Sequence, residues 1–215
     1  VVIILLLGIS PVLAAEKIRI GVSTALSGPA ASFGTDIRNA VFFASRHLAP
    51  GDYEIIVEDD KCTGREAVSI AHKFVSRDKV RAVFGNCSAT IISALPVYRQ
   101  AGVLVFAPLA TSPRISRMEG PVFRTAPSDK TSAHALFEKI AAEHGKIGML
   151  TEQSDYSSDF FKEFSANNAE NRLLIINEDF TSTDKDFRTI LLKLQRAGIE
   201  ALFINSNTEE SFTVI

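Results

Sequence analysis

A short apolar run that stops at glycine and passes straight into a helical pattern constrains this chain more than any other feature. Its clearest copy spans Arg81 to Thr90. Ala82-Val83-Phe84 is apolar, Gly85 interrupts it, and a helical pattern begins near Ser88 and continues to Gln100. This reads as a buried strand, a tight turn and a helix N-terminus. Such a junction leaves backbone N–H groups and the positive end of a helix dipole at the strand's carboxyl end. In open α/β sheets ligands bind there, and anionic groups suit the place best. Ser88 adds a hydroxyl at the expected N-cap position. Cys87 adds either a thiol or half of a disulfide.

The same alternation recurs along the chain. Lys17 to Ser23 reads as a strand, Thr24 to Thr35 as a small-residue loop, and the next helix carries Ile37, Ala40, Val41, Ala44 and Leu48 on one face. Pro50-Gly51 ends it. A strand at Tyr53 to Val57 runs into Glu58-Asp59-Asp60, and a helix follows from Arg65 to Arg77. After Gln100 come a strand at Val103 to Ala107, a polar loop from Leu109 to Gly120, and a short strand at Val122 to Thr125.

The cycle then restarts. Helices are expected at Thr131 to His144, Ser157 to Asn168, Asp186 to Ala197 and Thr208 to Ile215. Strands are expected at Ile147 to Thr151, Leu173 to Asn177 and Ala201 to Ile204. Alternating strands and helices build parallel sheets covered on both faces. The fold class is therefore α/β, with two Rossmann-like lobes, residues 16–126 and an incomplete 127–215, meeting near Ala126-Pro127. Two such lobes place a cleft between their strand ends.

Charge excludes one class of partner. Lys and Arg number 23 against 25 Asp and Glu, with no long basic run, so no nucleic acid is expected. Val1 to Leu7 is apolar, and Val12-Leu13-Ala14-Ala15 follows Pro11. Residues 1–15 read as a truncated signal peptide, too short to span a bilayer. Both chain ends look cut, so the sequence reads as an N-terminal fragment. Export implies an oxidising compartment, where two cysteines can pair.

Candidate chemistry is thin. Gly28 and Gly34 are wrongly spaced for a dinucleotide fingerprint, and no phosphate loop exists. Asp59-Asp60 lack a third ligand and read as solvated or capping groups. His47, His72, His134 and His144 show no metal spacing. Neither a metal nor a cofactor is expected. Cys87 could be a nucleophile on a strand–turn–helix elbow, but no suitable histidine and carboxylate pair follows it. A Cys62–Cys87 disulfide joining adjacent strand ends is the favoured reading, and its loop would stabilise by about 3 kcal/mol.

Several segments resemble one family. They are Ile18-Arg-Ile-Gly-Val-Ser-Thr-Ala-Leu-Ser-Gly-Pro29 with Phe33-Gly34, Glu58-Asp-Asp-Lys-Cys62 with Arg65-Glu-Ala-Val68, Val83-Phe-Gly-Asn-Cys-Ser88, and Val105-Phe-Ala-Pro-Leu-Ala-Thr-Ser112. Thr151-Glu-Gln-Ser-Asp-Tyr156 and Asp186-Phe187 continue the likeness. The chain resembles the type I periplasmic binding proteins of the branched-chain amino acid transporter group.

The resemblance implies a non-enzymatic, monomeric, periplasmic or secreted protein. Its lobes would close on an amino acid or related small carboxylate or amide, for delivery to an ABC transporter permease. Ser88 and Thr111 would hold the ligand carboxylate, and the carbonyl of Leu109, in the stretch Leu109-Ala110-Thr111, would accept from an ammonium group. Phe33 would cover the ligand from the first lobe and Tyr156 from the second. Asn205-Ser206-Asn207 depart from the family pattern and argue against a purely aliphatic pocket. A ligand-sensing receptor ectodomain of the same fold, or a Cys87 hydrolase, are the alternatives.

Overall fold

The computed structural model describes residues 16–168, 172–181 and 183–206. The expected signal segment and the expected helix from Thr208 lie outside them. Five strands form the first sheet: β1 (Ile18–Thr24), β2 (Tyr53–Asp59), β3 (Ala82–Phe84), β4 (Leu104–Phe106) and β5 (Val122–Phe123), in the order β2-β1-β3-β4-β5. Three form the second: β6 (Ile147–Glu152), β7 (Leu174–Phe180) and β8 (Ala201–Asn205), in the order β7-β6-β8. Every pairing is parallel. The helices between them are α1 (Ala31–Leu48), α2 (Gly64–Lys73), α3 (Ser88–Gln100), α4 (Asp129–Ala141), α5 (Asp155–Ala166) and α6 (Arg188–Arg196).

Strand alternation decides which residue meets which helix. In the first sheet Val83 and Val105 face α2 and α3, packing with the buried Phe74, Leu95 and Tyr98. Val22 and Phe84 face α1, against Ile37 and Val41. Gly21 makes room on β1: a Cβ there would stand 2.5 Å from the Phe74 ring. Each fully buried large side chain contributes about 1.5–3 kcal/mol.

The second sheet repeats the plan. Ile147 and Met149 pack with Phe137 of α4 and Phe164 of α5. Leu150 turns to the opposite face, with Phe180 and Phe187. All six residues of β6 are buried, as a central parallel strand requires.

The register brings functional ends together. β1 and β2 run in step from Ile18 opposite Tyr53 to Thr24 opposite Asp59. Phe84 on β3 lies level with Phe106 on β4. The segments after β1, β2, β3 and β4 therefore all leave from one edge of the sheet.

Two local expectations are corrected. The helix expected to follow Thr35 begins at Ala31, so Phe33 and Gly34 lie in its first turn rather than in a loop. The helix expected to run to Arg77 closes in a π-turn, Phe74–Asp78, that ends on Lys79 at φ 53°. The wide turn lets Phe74 stay fully buried while the chain swings toward β3. Among the described residues no helix is long and apolar enough to cross a membrane.

Candidate ligand-binding cleft

The strand ends of the first sheet are tied together before any ligand is considered. Cys62, after β2, and Cys87, after β3, form a disulfide with their Cα atoms 5.6 Å apart. Lys61 and Cys62 both take left-handed backbone, at φ 53° and 58°. Two carboxylates hold them there. Asp60 accepts from the Cys62 N–H and from the Ser23 hydroxyl, each at 2.9 Å. Asp59 accepts from the N–H groups of Leu26 (2.9 Å) and Lys61 (3.0 Å) and from the Ser27 hydroxyl (2.6 Å).

The solvated reading fails for Asp60, which is fully buried. Burial pushes its carboxyl above the ordinary range, the hydrogen bonds from Cys62 and Ser23 oppose that, and the charge of Asp59 adds to it. For Asp59 burial acts upward too, but the Ser27, Leu26 and Lys61 hydrogen bonds outweigh it and hold the carboxyl below its usual value.

Ser88 is the first residue of α3, and Cys87 is the N-cap, with φ −85° and ψ 137°. The expected N-cap role for Ser88 is thus displaced by one residue. The Cys87 side chain makes no cap bond. Ser88 Oγ accepts from the backbone N–H of Ser112, at 3.2 Å. That bond pins the loop after β4 against the start of α3.

The loop then carries Thr111 toward the second sheet. Thr111 Oγ1 donates to Asp129 Oδ2 at 2.8 Å, and the Asp129 N–H donates back to the Thr111 carbonyl at 2.9 Å. Asp129 opens α4, where Ser128 is the N-cap. Arg124 clamps the same loop, its Nη1 donating to the carbonyls of Thr111 (3.2 Å) and Ser112 (2.9 Å).

One cleft of about 250 Å³ collects Phe33, Ser88, Leu109, Thr111 and Tyr156, beside the disulfide. Phe33 is 55% exposed on α1, and Tyr156 is half-buried in the first turn of α5. Ala110 is not brought to the cleft; it is buried in the α2–α3 core. Alternation along the loop explains this, since Leu109 and Thr111 turn outward on either side of it. Asn86 also lines the cleft and accepts from the Ala25 N–H at 3.4 Å. Asn86 and Asp129 were missed from the sequence. Asn86 lay inside the singled-out turn, and Asp129 stood two residues before the helix expected from Thr131, which in fact opens at Asp129.

A family model described as "Periplasmic binding protein" matches residues 17–215. The chain belongs to the periplasmic binding protein family. It is 29% identical over 202 residues to the leucine-, isoleucine-, valine-, threonine-, and alanine-binding protein of Pseudomonas aeruginosa, a match covering 89% of this chain and 54% of the relative. The chain thus spans about half the length of such relatives.

Among solved structures, a periplasmic binding protein from Burkholderia mallei superposes with a TM-score of 0.83 at 18% identity, covering 94% of this chain and 56% of that one. A branched-chain amino acid transporter substrate binding protein from Streptococcus pneumoniae, in complex with isoleucine, gives 0.77 at 24% identity, covering 88% and 57%. At these identities the likeness is one of fold.

In this periplasmic binding protein Cys87 carries no free thiolate, because its sulfur is bonded to Cys62. The nucleophile alternative falls with that bond. Behind Thr111, outside the lining of the cleft, stands the buried Asp129. Burial raises its carboxyl above the ordinary range, while the Thr111 hydroxyl and the Arg124 guanidinium pull it back. Burial also raises the Tyr156 phenol, the Asp129 charge adds to that rise, and a hydrogen bond with the Thr111 hydroxyl opposes it.

Beyond the lining of the cleft, the chain after β4 meets α5: Ser112 Oγ donates to Asp159 Oδ2 at 2.8 Å, and Arg117 pairs with Glu163 at 3.2 Å. The far end of the second sheet is polar. Asn205 is buried and donates to the Ser157 carbonyl at 2.7 Å, and the Ser206 hydroxyl donates to Glu152 at 2.9 Å.

Proposed function

We propose that this chain is part of an extracytoplasmic substrate-binding protein, which captures an amino acid or a related small carboxylate or amide between two lobes and delivers it to an ABC transporter permease. The observation that carries the reading is the convergence of Phe33, Ser88, Leu109, Thr111 and Tyr156 on a single cleft. These residues come from four separate places in the chain. The named ligands of the Pseudomonas aeruginosa relative point to the same substrate class.

In this reading residues 16–126 form the first lobe and residues 127–215 belong to the second. The N-terminus of α3 faces the carboxylate, with the Ser88 hydroxyl and the helix dipole stabilising its charge. The Leu109 carbonyl accepts from the other end of the ligand. Phe33 and Tyr156 cover its body from opposite sides. The protein binds and releases without chemistry, acts in the periplasm as a monomer, and has no nucleic-acid partner.

A thermal-shift screen of the full-length protein against amino acids, small carboxylates and amides tests the proposal. A ligand that binds only the folded state raises the melting point, and the rise grows with the logarithm of its concentration above Kd. At least one amino acid or small carboxylate is expected to give a dose-dependent rise. Absence of a rise with every member of these classes would overturn the reading.

A further inference from the structure

The disulfide is a wall of the cleft as well as a tie within the fold. Cys62 and Cys87 are both half-buried, and both line the cleft beside Asn86, Ser88 and Ala89. The two ends of the bond are held differently. Cys87 is built into α3, where its carbonyl accepts from the Ile91 N–H at 3.1 Å and from the Thr90 hydroxyl at 2.9 Å. Cys62 ends a pair of left-handed residues, Lys61 and Cys62, neither of them glycine. Such backbone is disfavoured for any residue with a Cβ and persists only where its surroundings hold it. Here the holders are the disulfide and two carboxylates, Asp59 accepting from the Lys61 N–H and Asp60 from the Cys62 N–H. On either side the chain is anchored without the disulfide. The Asp60 N–H donates to the Thr24 carbonyl at 3.1 Å, and the Thr63 N–H donates to the Asp60 carbonyl at 2.9 Å. Opening the bond therefore frees one short turn and the adjoining start of α3, and leaves β2 and α2 in place.

We infer that the Cys62–Cys87 disulfide is a redox switch on ligand affinity: the oxidised protein holds its ligand tightly, and reduction by a dithiol entering through the open cleft loosens that wall and lets the ligand go. This rests on the cleft being the ligand site. Two separate thiols need room that a bonded pair does not. Ser88, next to Cys87 in the chain, moves with it, so the start of α3 no longer meets the ligand at a fixed place. The exchange balances within the pair of reactants. A thiolate of the dithiol attacks one cysteine sulfur, the Cys62–Cys87 bond breaks, and the other cysteine leaves as a thiolate. The dithiol's second sulfur then displaces the first cysteine. The protein gains two electrons and two protons as two thiols, and the dithiol loses the same as it closes to a disulfide. Ligand and redox state are linked in both directions, so whatever factor reduction takes from ligand affinity, bound ligand takes from reduction. A chain still reduced before export binds weakly and gains its affinity on oxidation.

The test uses the full-length protein in buffers of set reduced-to-oxidised dithiothreitol ratio. Thiol labelling counts the free cysteines, and circular dichroism reports the fold. The probe is the member of the amino-acid, carboxylate and amide panel that gives the largest thermal shift, with L-leucine tried first. By calorimetry the reduced, folded protein should bind about tenfold more weakly or worse, the scale of one hydrogen bond to a charged group. Saturating ligand should raise by the same factor the dithiothreitol ratio that reduces half the protein. Without ligand, the rate of reduction should stay flat through low urea, because the bond opens from the folded state; a bond opened only by global unfolding would be reduced faster as urea rises. Equal affinity in the two redox states, or a rate that climbs with urea, overturns the inference and leaves the proposed function standing. Binding of no panel member by the oxidised protein overturns the proposed function as well. If the reduced protein does not hold its fold, reduction of the oxidised protein decides alone: a flat rate that ligand slows upholds the switch, and any other result overturns it.

Discussion

Asp59 and Asp60 are neighbours in sequence with opposite electrostatic fates. Asp59 is half-buried at the end of β2, where hydrogen bonds from Ser27, Leu26 and Lys61 hold its carboxyl below the usual value. Asp60 turns inward, where burial raises it. A carboxyl raised in the folded state contributes stability in full below its unfolded pKa, near 3.8, and loses it as pH rises through the folded value. Asp60→Asn removes that loss. The melting-point difference, variant minus wild type, should therefore grow as pH rises from about 4 to about 7. The opposite dependence of Asp59 is common to both proteins and largely cancels. Calorimetry across that range checks the sign, and a difference that shrinks with pH would refute it. Ser88→Ala belongs to the same scale. It removes the hydroxyl facing the carboxylate and should raise the dissociation constant of the full-length protein about tenfold. The fold should persist, since the structural bond lost is a single one, from the Ser112 N–H, worth about 1 kcal/mol. Circular dichroism with calorimetric titration separates the two effects.

Among the elements, the first turn of α1 and the disulfide shape the cleft. Gly34 packs so closely under β1 that a Cβ would stand 1.8 Å from the Ala25 carbonyl oxygen and 2.8 Å from Thr24 Oγ1. Gly34→Ala must push the start of α1 outward and carry Phe33 with it. Both stability and ligand affinity should fall, the stability by about 1–3 kcal/mol as for overpacked cores. Chemical denaturation and titration of the same preparation would show the paired loss; unchanged values in both would deny the close approach a role. The disulfide closes a loop with a sequence separation of 25. The double variant Cys62→Ser, Cys87→Ser should lose about 3 kcal/mol on the chain-entropy model. Denaturant unfolding measures this. Because Cys62 and Cys87 also line the cleft, weaker ligand binding should accompany it.

For the whole molecule, the Ser112–Asp159 bond matters most, because it joins the loop after the first sheet to a helix of the second. Asp159 is 8% exposed, and without the Ser112 hydroxyl it keeps only the longer ion pairs to Arg114 (3.9 Å) and Lys162 (3.7 Å). Ser112→Ala should cost about 1.5–3 kcal/mol of stability. Its backbone N–H would still reach Ser88, so carboxylate binding should change less than stability does. Thermal unfolding read beside titration tests that split.

The α/β class and the two-sheet plan were legible in the sequence because burial of a parallel strand on both faces forces short apolar runs between helical periods. The strand–turn–helix at Phe84 to Ser88 was legible for the same reason, and Cys62 and Cys87 could be paired because adjacent strand ends bring them within reach. Helix starts were less so: Ala31 opens α1 without a side-chain cap, so no capping residue marked it. What only the tertiary structure decided is polarity and facing. Asp59 and Asp60 are chemically identical, and only the fold leaves one half-buried and the other fully inside. Thr111 and Ser88 carry the same hydroxyl, and only their partners, Asp129 and the Ser112 N–H, determine which one donates and which accepts. Those partners lie 18 and 24 residues away, so the pattern that specifies each element locally carries no trace of them.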